Sequence, residues 1–321
     1  MIWLTWRQHR RQTLVTLIGL GVLAAVLIPT GLAMRGDFTG GGLSQCLTGG
    51  TDQCMNQLRR FNDKWVNVGS AGVLMLFLPL LIGLFWGAPL VAREVEHGTH
   101  RLVWTQGISR GHWAAVKFGY AGLAALAFSV LYGLGVAWWL EPLNQTGNRT
   151  RFDPFFFDMQ GIAPIGYTIF ALALGIAAGT IFHRVLPSMA VALAGFVVVR
   201  VALAVLVRPG YETPAERTFP VIGGGAHDEV TADWVLDQGI RDASGKMIAP
   251  GAQAICPPGA TGPDGATPCG ADLGLTRGSY TWEQYQPADR FWTFQAIETG
   301  IFLVLAAALI VLAVRRIRRI A

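Results

Sequence analysis

The sequence predicts an all-α membrane protein that crosses the bilayer six times. Only 14% of its 321 residues are charged and 52% are hydrophobic, whereas soluble domains carry roughly 25% charged residues. Six apolar stretches are each close to the roughly 20 residues of helix that cross a hydrocarbon core of about 30 Å. The apolar runs exclude a disordered chain, and no triplet or heptad repeat indicates collagen or a coiled coil.

The predicted spans are residues 14–33, 71–92, 118–140, 161–182, 187–207 and 292–314. Only residues 183–186 separate the fourth span from the fifth, which predicts a tight hairpin. Residues 1–13 contain two tryptophans and three arginines, and we expect an interfacial amphipathic helix there. The alternative for the first stretch, 14–33 with the basic residues before it, is a cleaved signal peptide, but its apolar run exceeds the usual length of about 7–15 residues.

The distribution of charge predicts that both termini are cytoplasmic. With that orientation the inner segments hold twelve basic and two acidic residues, and the outer segments hold twelve basic and seventeen acidic residues. The basic tail within residues 315–319 follows the rule that arginine and lysine accumulate on the cytoplasmic side. The net charge of +5 therefore reflects the orientation of the chain in the membrane and does not indicate binding to nucleic acid, and we expect membrane lipid to be a partner.

All four cysteines lie in predicted outer segments, where the compartment is oxidising. Cys46 and Cys54 are in the first outer loop, and Cys256 and Cys269 are between spans five and six. Four cysteines allow three pairings. We favour the two local pairs, Cys46 with Cys54 and Cys256 with Cys269, and four free thiols are the alternative.

The outer segment at 208–291 is the largest region outside the spans, before the sixth span and basic tail at 292–321. Apolar residues within 228–240 suggest a short amphipathic helix. Residues 249–278 are rich in glycine and proline and indicate a loop. Residues 35–70 also have the composition of a loop.

One inner segment is large enough to contact a partner protein, residues 93–117, within the region of spans one to five at 14–207. It mixes apolar and charged residues, and glycines divide it into short pieces. This pattern is typical either of a docking helix or of an amphipathic loop on lipid.

In sequence this segment resembles the permease subunit of ABC type 2 exporters. The residues assigned to coupling are Glu94, Glu96, His97, Gly98, Thr99, Arg101, Leu102, Thr105, Gln106, Ser109 and Arg110. The resemblance implies that the loop between spans two and three docks on a separate ATPase. It also implies two ATPase copies, a second permease chain (a homodimer or a related partner), and a bacterial plasma membrane. The outer segment is longer than this family suggests.

We expect no cofactor in this chain, with ATP and magnesium bound by the partner subunit. The phosphate-binding pattern GxxxxGK[ST] is absent, and the only Gly-Lys pair is Gly245-Lys246. The histidines near residue 97 form no complete set of metal ligands, so we expect no metal. The chain is therefore predicted to be a non-catalytic subunit.

Two ionisable residues lie well inside predicted spans, Arg200 and Glu298. An isolated charge at mid-bilayer costs at least about 2.5–3.5 kcal/mol. The two residues have opposite signs and similar depth, which predicts an ion pair between spans five and six. The alternative is a contact with a polar substrate in the transport path.

Two other classes of function stay open on the sequence alone. A membrane enzyme acting on lipid-linked substrates needs convergent catalytic groups at one membrane face. A sensor or assembly subunit would use its long outer segment to bind a ligand.

Overall fold

The computed structural model describes residues 2–43, 52–98, 109–146, 150–221, 232–254, 275 and 278–319. Six helical segments in this part of the chain are long and apolar enough to cross a membrane, which confirms the predicted number of spans. They are span one Thr13–Gly40, span two Gly72–Glu96, span three Arg110–Gln145, span four Ala163–Phe182, span five Val185–Gly210 and span six Ala288–Arg319.

The first helix, α1 (Ile2–Gly40), runs without a break through the predicted interfacial segment and span one. The structure therefore has one continuous helix where the sequence suggested an interfacial helix followed by a span. The short hairpin between spans four and five is present: α7 (Ala163–Phe182) ends at His183, whose φ of 55° is left-handed. Helix α8 (Val185–Ala202) begins two residues later.

Helix α2 (Asp52–Ala71) occupies much of the region at 35–70 that was predicted to be a loop. Leu58, Phe61 and Trp65 are buried against the bundle, while Arg59 and Arg60 are exposed. The loop interpretation was wrong because polar residues lower the mean hydropathy, although the apolar residues follow helical spacing. Cys54 is buried in this helix, whereas Cys46, Cys256 and Cys269 lie outside the described residues. Both disulfide pairings stay predictions.

Span two is a composite of four helical pieces. A 3-10 turn (Gly72–Phe77) leads into α3 (Leu78–Ile82), a π-helical turn (Gly83–Gly87) and α4 (Ala88–Glu96). In the π-helical turn the backbone N–H of Ala88 donates to the carbonyl oxygen of Gly83, five residues back. π-Helical turns are rare and frequently occur at functional sites.

Span four is the centre of the bundle and packs against spans two, three, five and six. A Cβ added to Gly175 would lie 2.3 Å from the carbonyl oxygen of Gly83, and one added to Gly83 would lie 2.5 Å from that of Ala171. The small residues of spans two and four thus let the two backbones approach closely. The GxxxG patterns at 83–87 and 175–179 therefore pack against each other within this chain.

Span three is α5 (Arg110–Gln145), and the short helix α6 (Pro154–Met159) lies between it and span four. Gln295 of span six joins these elements. Its Oε1 accepts hydrogen bonds from the backbone N–H groups of Ile162 and Ala163 at 3.0 and 2.7 Å. Its Nε2 donates to the carbonyl oxygen of Phe157 at 2.8 Å. One buried amide thereby anchors α6 and the start of span four to span six.

A four-stranded antiparallel sheet lies between spans five and six. Its strands are β1 (Ala215–Pro220), β2 (Trp234–Arg241), β3 (Met247–Pro250) and β4 (Tyr280–Gln286), in the order β1-β4-β2-β3. The predicted helix over 228–240 is therefore wrong, since its described part contains β2. An all-α fold is wrong for this segment. Strand pairing between β2 and β4 is long-range, so the local pattern does not reveal it.

The sheet is fastened directly to the helical bundle. Span six includes the 3-10 turn Ala288–Arg290 and helix α9 (Phe291–Arg319), and β4 leads straight into it. Trp234 of β2 stacks on Phe152 with ring centroids 5.7 Å apart. Gln286 Nε2 donates to the carbonyl oxygen of Glu212 at 2.8 Å. We call this end of the bundle the sheet end and the opposite one, where α9 finishes, the tail end.

Candidate functional site

The structure describes the two flanks of the segment at 93–117, residues 93–98 and 109–117, and both lie at the tail end. Helix α4 finishes at Glu96, and the N–H groups of His97 and Gly98 donate to the carbonyl oxygens of Arg93 and Val95, both at 3.1 Å. Gly98 has a φ of 70°, a conformation that favours glycine. Five of the residues assigned to coupling lie outside the described residues: Thr99, Arg101, Leu102, Thr105 and Gln106.

The first flank is joined to span three by an ion pair. Lys117 Nζ donates to Glu94 Oε1, and both side chains are largely buried. The same ammonium group lies 4.8 Å from the centre of the Trp113 ring. Breaking a buried ion pair leaves an uncompensated charge. Spans two and three are therefore held together close to the segment.

Glu96 connects the same flank to span five. Its Oε2 accepts a hydrogen bond of 3.1 Å from the backbone N–H of Val185, the first residue of α8. A carboxylate at this position satisfies an otherwise free N–H group and interacts favourably with the positive end of the helix dipole. The family resemblance places Glu96 among the coupling residues, but nothing in the sequence indicates its contact with Val185.

The second flank begins at Ser109, which caps α5. Its Oγ accepts a hydrogen bond of 3.2 Å from the backbone N–H of His112. The next residue, Arg110, reaches span six, where Nη1 donates to the carbonyl oxygen of Arg318 at 3.3 Å. The two flanks thus make direct contacts with spans three, five and six.

A second polar group is buried at the sheet end and joins spans four, five and six to α6. Arg208 makes two hydrogen bonds with Glu298: Nε to Oε2 at 2.7 Å and Nη2 to Oε1 at 2.6 Å. Its Nη2 also lies 2.6 Å from Asp158 Oδ1. Arg200 Nη2 lies 2.9 Å from Asp158 Oδ2. We call Asp158, Arg200, Arg208 and Glu298 the charge cluster.

Aromatic side chains complete the surroundings of the charge cluster. The Tyr167 hydroxyl lies 2.9 Å from Asp158 Oδ1 and 2.6 Å from Glu298 Oε1. The Arg200 guanidinium lies 4.0 Å from the centre of the Tyr167 ring, and that of Arg208 lies 4.2 Å from the Phe157 ring. Cations over aromatic faces are stabilised, more strongly where water is excluded. The two positive and two negative charges compensate each other within the protein.

The structure corrects the direct ion pair expected between Arg200 and Glu298. Among the contacts of the described residues, Glu298 binds Arg208 and Arg200 binds Asp158. Arg208 was assigned to the outer segment because it stands next to Pro209-Gly210. Asp158 lies between predicted spans three and four, directly after the aromatic run Phe155-Phe156-Phe157. A carboxylate beside such a run was the available signal that it is buried.

The six apolar helices with their buried, compensated charges define a multi-pass membrane protein. The chain matches the family model described as ABC-2 membrane transporter related over residues 17–208, which is more than half of its length. It therefore belongs to the ABC-2 membrane transporter related family. The match runs from within span one to near the end of span five, contains the segment at 93–117, and ends at Arg208, before the sheet. No curated protein and no solved structure matches the chain.

Family membership defines the chain in general terms as the membrane subunit of a transporter. In this family such subunits are typically non-catalytic. Membership also implies, in general, a partnership with an ABC ATPase subunit.

Proposed function

We propose that this chain is the permease subunit of an ATP-driven exporter, and that a separate ATPase docks on the segment at 93–117. ATP and magnesium would be bound by that partner, since this sequence has no phosphate-binding loop. Two ATPase subunits and two permease chains, identical or related, would form the complete transporter. Family membership favours this function over a lipid-linked enzyme or a sensor.

The observation that carries the proposal is the anchoring of both flanks of this segment. Glu94 contacts Lys117 of span three, Glu96 contacts Val185 of span five, and Arg110 contacts Arg318 of span six. A loop that only rested on lipid would not need contacts with spans five and six in addition to the two spans that it joins. A loop that receives a displacement from a partner needs them, because packed helices move as units.

The mechanism follows from these contacts. When the ATPase closes, it would displace the segment, and the buried pair of Glu94 and Lys117 would move spans two and three together. The contact of Glu96 with Val185 would pass the displacement to span five. ATP binding would then bias an equilibrium between two arrangements of the bundle, provided that the ATPase contacts the two arrangements with different affinity.

We propose that the tail end faces the cytoplasm of a bacterial cell. Arg315, Arg316, Arg318 and Arg319 cluster in and just before the last turn of span six, and Arg184 lies at the start of span five. Basic residues close to span ends accumulate on the cytoplasmic side. The sheet would then lie outside the cell, which agrees with the predicted disulfides.

The test is the ATP hydrolysis of the complex purified through a tagged chain, compared with that of the ATPase alone. We expect Glu96→Ala and Arg110→Ala to lose most of the stimulation of the ATPase while the chain remains folded. The matched control is Arg316→Ala, an exposed arginine at the same end of the bundle. Normal stimulation in both variants would contradict the coupling role. A tagged chain that never co-purifies with an ATPase would contradict the proposed function itself.

A further inference from the structure

Span five contains a π-helical turn, Leu203–Val207, between the two arginines of the charge cluster. At this turn the backbone N–H of Arg208 donates to the carbonyl oxygen of Leu203, five residues back. An α-helix makes this bond to the residue four positions back. The turn therefore contains one residue more than a continuous α-helix would need to cover the same rotation.

The extra residue determines which faces of span five Arg200 and Arg208 occupy. An α-helix turns by about 100° per residue, so two residues eight positions apart point about 80° away from each other. Because the π-helical turn contains one extra residue, the spacing between Arg200 and Arg208 is equivalent to seven positions of an α-helix. The two directions then differ by only about 20°.

The contacts of the two arginines agree with this alignment. Arg200 and Arg208 approach the same carboxylate, with Nη2 atoms at 2.9 Å from Asp158 Oδ2 and at 2.6 Å from Oδ1. The carboxylate can bind both only if both project from one face of span five. Arg208 also holds Glu298, so the alignment joins spans five and six with α6.

The position of the turn leaves room for a change of register. None of the side chains from Leu203 to Val207 is buried, and Val205 and Leu206 are 65% and 78% exposed on the bundle surface. Leu203 packs partly buried against the core, whereas residues 205–207 are exposed, so a rearrangement of the turn displaces few packed side chains. By contrast, Arg208, which follows it, is only 1% exposed and depends on the register.

We propose that the π-helical turn of span five is a register switch that locks and releases the sheet end. In the π-helical register, both arginines bind Asp158 and the charge cluster is closed. In a continuous α-helix with the same residues, Arg208 turns about 100° away and leaves Asp158 and Glu298. The chain between Arg208 and β1 is then free to move with the sheet.

The first test is the removal of the extra residue. Deleting Val205 converts the turn to an α-helix and keeps both arginines on one face, so the melting temperature of the detergent-purified chain should stay close to that of the wild type. The matched control is deletion of Val198, which has the same side chain and the same 65% exposure but lies in α8. It shifts Arg200 and should lower the melting temperature strongly. Equal losses in the two deletion variants would overturn the proposal.

A second variant checks that the register survives the deletion. Asp158→Asn should lower the melting temperature in two backgrounds, the wild type and the chain without Val205. The two decreases should be equal. If Asp158→Asn has no effect in the deletion background, the arginines no longer bind this carboxylate and the proposal is wrong.

Amide hydrogen exchange at residues 203–211 tests the switch itself. The wild type has access to both registers, whereas the chain without Val205 has one register only. The amides of residues 203–211 should therefore exchange roughly tenfold faster in the wild type. Equal exchange rates would overturn the switch. None of these measurements requires an ATPase, so they are independent of the proposed function.

Discussion

Arg208 binds Glu298 through two parallel hydrogen bonds, of 2.7 and 2.6 Å, at a position where neither side chain contacts solvent appreciably. The pair joins the last turns of span five to the first part of span six. Bidentate arginine–carboxylate pairs are strong and geometrically specific. The sheet lies between these two spans in the sequence. The pair therefore holds together the two helices that lead into and out of the sheet.

Removal of one partner of this pair should therefore be costly. We expect Glu298→Ala to lower the free energy of unfolding by about 3–5 kcal/mol, because it leaves part of the Arg208 charge uncompensated. The comparison is Glu212→Ala, which breaks a pair of 2.9 Å with Arg290 that is about one-third exposed. Exposed pairs contribute at most about 1 kcal/mol. Denaturant unfolding in detergent measures both, and similar losses would contradict the special role of the buried pair.

The close approach of spans two and four predicts the effect of adding one methyl group. Gly175→Ala places a Cβ 2.3 Å from the Gly83 carbonyl oxygen and should destabilise the bundle by about 1–3 kcal/mol. In span three, Gly122 has no atom within 4 Å of an added Cβ. Gly122→Ala should leave the melting temperature unchanged or raise it slightly. A tolerated Gly175→Ala would show that the two spans pack less closely than described.

The pair of Glu94 and Lys117 should respond differently to single and double replacement. Lys117→Met leaves a carboxylate in a largely buried place and should cost about 3–5 kcal/mol. The double variant Glu94→Leu, Lys117→Met replaces both charges with apolar groups and should recover most of that loss. Thermal unfolding of the three variants, Glu94→Leu included, measures the difference. A double variant no more stable than Lys117→Met alone would contradict this account of the pair.

The contact between Glu96 and Val185 predicts that charge matters at this position. Glu96→Gln keeps an oxygen that can accept the N–H of Val185 but loses the interaction of a carboxylate with the helix dipole, which is worth about 0.3–1 kcal/mol. Glu96→Ala loses both and should be less stable than Glu96→Gln. The melting temperatures of the two variants should follow this order, and the reverse order would rule out the capping role.

The sequence predicted the six spans because hydropathy over about 20 residues is a local property. It also predicted the hairpin at 183–186, because only four residues separate spans four and five. The sheet could not be predicted in the same way. The apolar positions Trp234, Val235 and Ile240 fit a helix as well as a strand, and only pairing with β4, about 40 residues further on, decides between them.

The sequence also could not predict which residues of the charge cluster pair with each other. Matched depth and opposite sign were sufficient to place Arg200 and Glu298 in one region but not to pair them. The π-helical turn shifts the register of Arg208 relative to Arg200, and Asp158 comes from α6, a short helix outside the spans. Helical geometry without that turn would have directed Arg208 away from the cluster.

Site-specific photo-crosslinking would show whether an ATPase docks on residues 93–117, as we propose. A photoreactive amino acid at Leu102 should give an adduct with a co-expressed ATPase subunit in intact membranes. The control position is Trp292, which is 57% exposed at the sheet end and should give none. An adduct at Trp292 but not at Leu102, or no adduct at either, would contradict the account.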